Sequence, residues 1–102
     1  MSDAAFIAEL EQIIRQRLSS KDADSYTATL ARSGLKRVAQ KLGEEAVELA
    51  LASVAGDRDE VLDESADLVY HLLVLLHLQD LSLDDVGHRL RERHTARRPG
   101  GR

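Results

Sequence analysis

Two short groups of acidic residues interrupt a strongly apolar stretch of the chain, residues 34–78. The groups consist of Glu44, Glu45 and Glu48, and of Glu64 and Asp67. Carboxylates in apolar surroundings are costly unless a cation compensates their charge. The chain has no cysteine, and carboxylate oxygens without thiolates favour Mg²⁺ or Mn²⁺ over zinc. The residues therefore predict a divalent metal site, of the kind in which Mg²⁺ also binds substrate phosphates.

The acidic residues are spaced for helices. Glu45 and Glu48 are three residues apart, as are Glu64 and Asp67, so each pair projects from neighbouring turns of one helix face. A tight turn between the two helices makes them antiparallel, and the pairs, at comparable distances from the turn, can face each other. Four carboxylates would then converge, and their repulsion raises their proton affinity unless a cation is bound. The alternative is a solvated helix face, because acidic pairs at this spacing are common by chance.

Apolar residues at helical spacing predict an all-α fold of four to five helices, arranged as an antiparallel bundle. Aromatic residues make up only 3% of the chain and the single proline is at position 99, which favours helices over sheets. The predicted helices cover residues 3–18, 26–33, 35–55, 58–79 and 83–93, and residues 19–25 are expected to form a loop. The expected N-caps are Ser25, Asp57 and Ser82, and glycines 34 and 56 end the preceding helices.

The long central helix is apolar on two sides. Beyond Glu44 its second side carries Val47, Leu51 and Val54, and a helix that is apolar on both sides must be covered on both. A second copy of the chain is the expected cover, which predicts a homodimer. With 102 residues the chain is predicted to be one domain, residues 1–95, followed by a basic tail, residues 96–102, that is expected to be disordered.

Composition and missing motifs exclude several classes of function. A net charge of −4 gives no general attraction to nucleic acid. The N-terminus lacks the pattern of a signal peptide, and the longest apolar run, residues 68–78, is too short to span a bilayer. A cytoplasmic protein with no membrane or nucleic-acid partner is expected. No P-loop motif and no serine or cysteine triad arrangement occurs, which disfavours a Walker-type site and a covalent route.

Three segments of the chain resemble a known family. They are SYTATL at residues 25–30, KLGEEAVE at 41–48 and ESADLVYHLLVLL at 64–76. The pattern EExxE followed by ExxD resembles the all-α nucleoside triphosphate pyrophosphohydrolase superfamily (MazG-like), and the three segments together resemble its phosphoribosyl-ATP pyrophosphohydrolases. The resemblance covers roughly residues 5–93. It implies Mg²⁺-dependent hydrolysis of phosphoribosyl-ATP to phosphoribosyl-AMP and pyrophosphate, the second step of histidine biosynthesis.

The resemblance also implies roles for individual residues. Glu45, Glu48, Glu64 and Asp67 match the family's metal ligands, and Glu44 would either support a ligand or activate water. Two alternatives stay open: a house-cleaning (d)NTP pyrophosphatase of the same superfamily, and a non-catalytic helical dimer whose acids are only a solvated face.

Four further residues are candidates for substrate binding. They are Lys41, Lys36, Tyr26 and Thr27. Lys41 lies between Glu45 and Glu48 on the helical wheel and could contact a phosphate oxygen, whereas the alternative is an ion pair with Glu45. Lys36 could meet the anionic substrate or simply be solvated, and helix capping or packing would explain Tyr26 and Thr27 almost as well. His71, one turn after Asp67, could support a metal ligand or be an ordinary buried histidine.

Overall fold

The computed structural model describes residues 2–19 and 25–96, and all regular structure in these two ranges is helical. A short 3₁₀ turn at Asp3–Ala5 leads into the first of five α-helices. The helices are α1 (Phe6–Ser19), α2 (Tyr26–Ser33), α3 (Leu35–Ala55), α4 (Arg58–His77) and α5 (Leu83–Ala96). The predicted all-α fold is therefore confirmed, and its completion by a second copy stays a prediction.

Capping residues set the helix boundaries where the sequence predicts them. The side chain of Ser25 accepts a hydrogen bond at the start of α2, and that of Asp57 accepts one from the Glu60 N–H at the start of α4, at 3.1 Å. Gly56 ends α3 in the left-handed conformation, with φ at 78°, which a glycine adopts without steric cost. At α5, Ser82 and Asp85 form a reciprocal capping box, in which each backbone N–H donates to the other side chain.

Three predicted boundaries differ from the structure. Helix α4 ends at His77 rather than at residue 79, because Asp80 takes a left-handed φ of 57° and the Leu81 N–H donates to the Leu76 carbonyl at 2.9 Å, which closes the helix. Helix α5 continues past residue 93 to Ala96, so the predicted tail begins inside it. Ser19 belongs to α1 instead of the predicted loop, and residues 20–24 and 97–102 lie outside the described ranges.

The core joins the first four helices around the α3–α4 pair. The two-residue turn at Gly56 and Asp57 brings α3 and α4 together as an antiparallel hairpin, the most extensive helix pairing among the described residues. The buried apolar core consists of Ile14, Leu30, Val38, Leu73 and Val74. Helix α5 contributes no buried residue and packs through Leu83 at the edge of this core. The core therefore fixes α3 against α4, which is what the predicted acidic site requires.

An apolar face on α3 and α4 remains uncovered in the single chain. Four aliphatic side chains, here called the exposed aliphatic face, are between 59% and 89% exposed: Val47, Leu51, Val54 and Leu62. On the opposite stripe of α3 only Val38 is fully buried, and alanines 39, 46 and 50 are exposed. A single chain thus covers neither side of α3 completely. None of the helices described here is long and apolar enough to cross a membrane.

Candidate metal and active site

The two predicted acidic pairs face each other across the α3–α4 hairpin. The carboxyl groups of Glu48 on α3 and Glu64 on α4 lie side by side, and the charges of Asp67 and Glu45 also act on Glu64. The contact with Glu48, then desolvation, and then repulsion by these three carboxylates raise the pKa of Glu64 from 4.5 to about 7. The hairpin therefore brings Glu45, Glu48 and Asp67 close enough to Glu64 for their charges to act on it.

One oxygen of this cluster is unsatisfied. Glu64 Oε2 is buried and has no hydrogen-bond donor within reach. Two ionised carboxylates cannot bond to each other, so the direct contact of Glu48 with Glu64 is favourable only when they share a proton or a cation. Within residues 2–19 and 25–96, no three acidic or histidine side chains already surround a common point as ligands. The buried orphan oxygen and the donor set, carboxylates only, nevertheless fit a hard divalent cation.

Glu45 belongs to a second network that leads away from the acidic cluster. Its Oε1 lies 2.6 Å from Nδ1 of His71, and the other ring nitrogen, Nε2, lies 3.0 Å from the Tyr26 hydroxyl. His71 is buried, with 5% of its surface exposed, whereas Tyr26 is 50% exposed. The network therefore connects a carboxylate of the cluster to an aromatic side chain at the surface.

The same residues line a concave site of about 530 Å³. Its wall is formed by Arg17, Tyr26, Lys41, Glu45, Asp67, Tyr70 and His71. The site thus combines carboxylates with two cationic side chains, Arg17 and Lys41. The two tyrosine rings lie with centroids 6.0 Å apart, and the ring of His71 packs edge-on against that of Tyr70 at 5.5 Å. This arrangement can hold an anionic, aromatic ligand beside the acidic cluster.

Electrostatics at this wall act on Tyr26. Burial raises the pKa of the Tyr26 phenol, as do Tyr70 and the negative charges of Glu45 and Asp67, while Arg37 acts in the opposite direction. Tyr26 therefore stays a hydroxyl at neutral pH and can donate a hydrogen bond to His71 or to a ligand.

The predicted substrate-binding residues take different positions. Lys41 and Tyr26 line the concave site. Lys36 is exposed on the first turn of α3 and is not part of that wall. Thr27 is fully buried, and its hydroxyl bonds to that of Tyr70, so it supports the wall from behind. Glu44 is exposed and accepts a hydrogen bond from Gln40 at 3.1 Å, and it is not among the charges that act on Glu64.

Two residues of the site, Arg17 and Tyr70, are not among the residues that the sequence predicts for it. Arg17 comes from the last turn of α1, where the sequence pattern placed it only among the residues of an amphipathic helix. Tyr70 lies in an apolar run of the sequence, and its signal there is that of an aromatic residue with a polar hydroxyl one turn after Asp67. Arg17 reaches the site only through the packing of α1 on α4, which helical spacing does not reveal.

The chain is similar to one protein family and to several curated proteins. The family model described as "Phosphoribosyl-ATP pyrophosphohydrolase" matches residues 7–94. The chain is 56% identical to the "Histidine biosynthesis bifunctional protein HisIE" of Yersinia pestis over 93 residues, 91% of this chain and 46% of that protein. It is 52% identical to the protein of the same name from Vibrio cholerae over 93 residues, 91% of this chain and 44% of that one. The Campylobacter jejuni protein of that name is 50% identical over 95 residues, 93% of this chain and 46% of its own length. The chain thus spans about half the length of the curated relatives it matches.

Proposed function

The chain belongs to the phosphoribosyl-ATP pyrophosphohydrolase family, as its motifs predicted, and we propose that it hydrolyses phosphoribosyl-ATP to phosphoribosyl-AMP and pyrophosphate. The proposal includes a role in histidine biosynthesis and, as expected from the sequence, a cytoplasmic location. The observation that carries the proposal is the orphan oxygen of Glu64 within four facing carboxylates, beside a concave site that also contains Lys41 and Arg17. A divalent cation would neutralise the carboxylates, and the negative charge of a triphosphate would neutralise the two basic side chains.

Glu45, Glu48, Glu64 and Asp67 are the residues that would hold the cation, with Mg²⁺ as the expected ion and Mn²⁺ as a substitute. The donor set fits Mg²⁺ because it contains only carboxylate oxygens, and because bound Mg²⁺ also takes ligands from substrate phosphates. When bound, the cation neutralises phosphate charge and lowers the pKa of coordinated water.

The remaining residues of the site would orient the substrate. Lys41 and Arg17 provide positive charge on the wall, where they can bind phosphate oxygens. The half-exposed ring of Tyr26, next to that of Tyr70, offers a surface for the purine base. Thr27 keeps Tyr70 in place through its buried hydroxyl. Lys36, at the start of α3 and outside this wall, would attract the anionic substrate from a greater distance.

The reaction adds water across the bond between the α- and β-phosphates. One oxygen–phosphorus bond forms from water while the phosphoanhydride bond breaks, and pyrophosphate leaves. The proton of the attacking water passes to a carboxylate of the site, with Glu44 as a candidate for this role or for support of its neighbours on α3. The protein's contribution is otherwise positioning and charge neutralisation, which carry most of the catalysis in phosphoryl transfer.

A homodimer is the second part of the proposal. The exposed aliphatic face of α3 and α4 contains side chains such as Val54, which is 89% exposed, and large exposed aliphatic surfaces commonly mark an interface. A second copy, packed through the same face, would cover it in both chains.

The activity is tested by steady-state turnover of phosphoribosyl-ATP, ATP, dUTP and dCTP with and without Mg²⁺. We expect phosphoribosyl-ATP to have the highest kcat/KM by at least about tenfold, and chelation to abolish its turnover. A preference for one of the plain nucleoside triphosphates would instead favour the house-cleaning alternative. No turnover of any of them by the folded, Mg²⁺-loaded protein would favour the non-catalytic helical dimer.

A further inference from the structure

His71 lies between two acceptors on the side that faces the acidic cluster. Its Nδ1 is 2.6 Å from Glu45 Oε1 and 3.0 Å from the backbone carbonyl oxygen of Asp67. Because both neighbours accept hydrogen bonds, Nδ1 must carry the hydrogen and donate it. The ring is therefore held in one orientation by the two residues, one on α3 and one on α4, that belong to opposite halves of the acidic cluster.

The other ring nitrogen faces the wall of the concave site. Nε2 lies 3.0 Å from the Tyr26 hydroxyl, and in a neutral ring whose Nδ1 carries the hydrogen, Nε2 accepts from that hydroxyl. A directed chain of donors thus runs from Tyr26 through His71 to Glu45. It connects the surface at which a substrate would bind to one of the carboxylates that would hold the cation.

We propose that His71 is a positioning residue that fixes Glu45 for cation binding and links this carboxylate to the substrate wall at Tyr26. The inference rests on the proposed function, because it takes the acidic cluster as the cation site. By holding one oxygen of Glu45, the imidazole restricts rotation of the carboxylate and reduces the ordering that cation binding requires. Ligands held by partners of this kind typically bind metal about 10–100-fold better than ligands without them.

A second histidine on the same helix, His77, is partly buried and forms a pair with an acidic residue outside the acidic cluster. His77 Nε2 lies 2.8 Å from Glu11 Oε2, and the same oxygen accepts the Leu83 N–H at 2.7 Å, so this pair ties α1 to α4 and α5. Burial of His71 alone needs no such partner, since the Asp67 carbonyl one turn earlier already accepts from its Nδ1. The bond to Glu45 is therefore an additional one, and it is made to a carboxylate of the acidic cluster.

The proposal is tested by measuring Mn²⁺ binding to the purified protein without substrate, by calorimetry and from the EPR signal of free Mn²⁺. The protein is used in the oligomeric state in which it is purified, dimer or monomer. We expect His71→Ala to weaken Mn²⁺ binding about 10–100-fold. His71→Asn keeps an amide donor near the position of Nδ1, and we expect it to recover binding to within about threefold of wild type. The matched control is His77→Asn, which lowers the melting temperature by loss of a similar buried pair and leaves Mn²⁺ affinity unchanged.

Two results would overturn the proposal: wild-type Mn²⁺ affinity in a folded His71→Ala protein, or an equal loss of affinity in His77→Asn. If His71→Ala does not fold, Tyr26→Phe takes its place, because it frees Nε2 without opening a cavity. In that variant we expect Mn²⁺ affinity to fall about threefold, because the contribution of one hydrogen bond is lost. An unchanged affinity would contradict the chain of donors from Tyr26 to Glu45.

Turnover of the same proteins separates this inference from the proposed activity. His71-dependent Mn²⁺ binding in a wild-type protein that does not hydrolyse phosphoribosyl-ATP would refute the activity alone. Normal hydrolysis by wild type and by folded His71→Ala, with equal Mn²⁺ affinities, would refute the positioning role alone.

Discussion

The carboxyl groups of Glu48 and Glu64 lie side by side across the α3–α4 hairpin, and Oε2 of Glu64 is buried without a hydrogen-bond partner. This contact is unfavourable when both groups are ionised, because neither can donate. Repulsion between these carboxylates lowers the free energy of unfolding of the cation-free protein. Binding of a cation to the folded protein restores this stability. The consequences can be measured separately in activity and in stability.

Substitution of Glu48 by Gln is expected to affect activity and stability in opposite directions. The amide removes one proposed metal ligand, and we expect kcat/KM to fall by more than about 100-fold. Loss of a residue that only supports a metal ligand already costs about 10–100-fold, so loss of a ligand itself should cost more. The same amide can donate to the orphan oxygen of Glu64, so the melting temperature in chelator is expected to rise. Asp67→Asn is expected to lose activity similarly, with the helices intact by circular dichroism.

The control for Glu48→Gln is Asp63→Asn, which removes an exposed carboxylate next to Glu64 in the sequence. We expect it to keep wild-type turnover, since a solvated charge there contributes little. Wild-type turnover in Glu48→Gln or Asp67→Asn would show that the substituted residue is not a ligand of an essential cation.

The raised pKa of Glu64 predicts how stability depends on pH in chelator. Since this pKa rises from 4.5 to about 7, the folded protein binds more protons than the unfolded chain between these values. Stability in chelator should therefore decrease as pH rises through this window, and the decrease should be complete above about pH 7. We expect saturating Mg²⁺ to reverse the loss at about pH 8, and Glu64→Gln to remove both the pH slope and the Mg²⁺ effect. Thermal denaturation in a buffer series from pH 4.5 to about pH 8 measures this, and an unchanged slope in Glu64→Gln would contradict it.

The sequence predicted the acidic site because the hairpin is nearly symmetric about its turn. Glu48 and Glu64 are each eight residues from Gly56, and Glu45 and Asp67 are each eleven residues from it. In an antiparallel pair of regular helices, equal distances from a two-residue turn put side chains at the same height. Helical spacing then selects the face, so local rules alone were sufficient to bring four carboxylates together.

Contacts from outside the hairpin could not be predicted in this way. Arg17 reaches the concave site from α1, and Glu11 meets His77 at a separation of 66 residues. Both contacts depend on how α1 packs on α4, which follows from the shapes of core side chains rather than from periodicity. For the same reason the sequence left His71 open between two roles, because its partner Glu45 is on another helix.

Charge placed on the exposed aliphatic face is expected to separate the proposed dimer. Val54→Glu puts a carboxylate at the most exposed aliphatic position, and burial of that charge in an interface would be costly. We expect wild type to elute as a dimer in light-scattering chromatography and Val54→Glu as a folded monomer. Leu90→Glu, at an exposed leucine of α5, is the comparison. Dissociation by Leu90→Glu but not by Val54→Glu would place the interface away from α3 and α4.

Glu11 is expected to make the fold sensitive to acid through its bonds to α4 and α5. Burial would raise the pKa of Glu11, but the hydrogen bonds from Leu83 and His77, with the attraction of His77 and Arg15, lower it below 4.5 overall. The unfolded chain therefore takes up this proton first, so the stabilisation is present above about pH 4.5 and is lost as pH falls through the lower folded pKa.

Glu11→Gln keeps an acceptor but loses the charge. We expect it to lower the free energy of unfolding at neutral pH by about 1–3 kcal/mol and to reduce the fall of this free energy with decreasing pH. Urea denaturation from neutral pH downwards measures both effects, with Glu9→Gln, an exposed residue of the same helix, as the control that stays within about 0.5 kcal/mol of wild type. If the free energy of unfolding falls equally with decreasing pH in wild type and in Glu11→Gln, the charge of Glu11 does not stabilise the contact of α1 with α4 and α5.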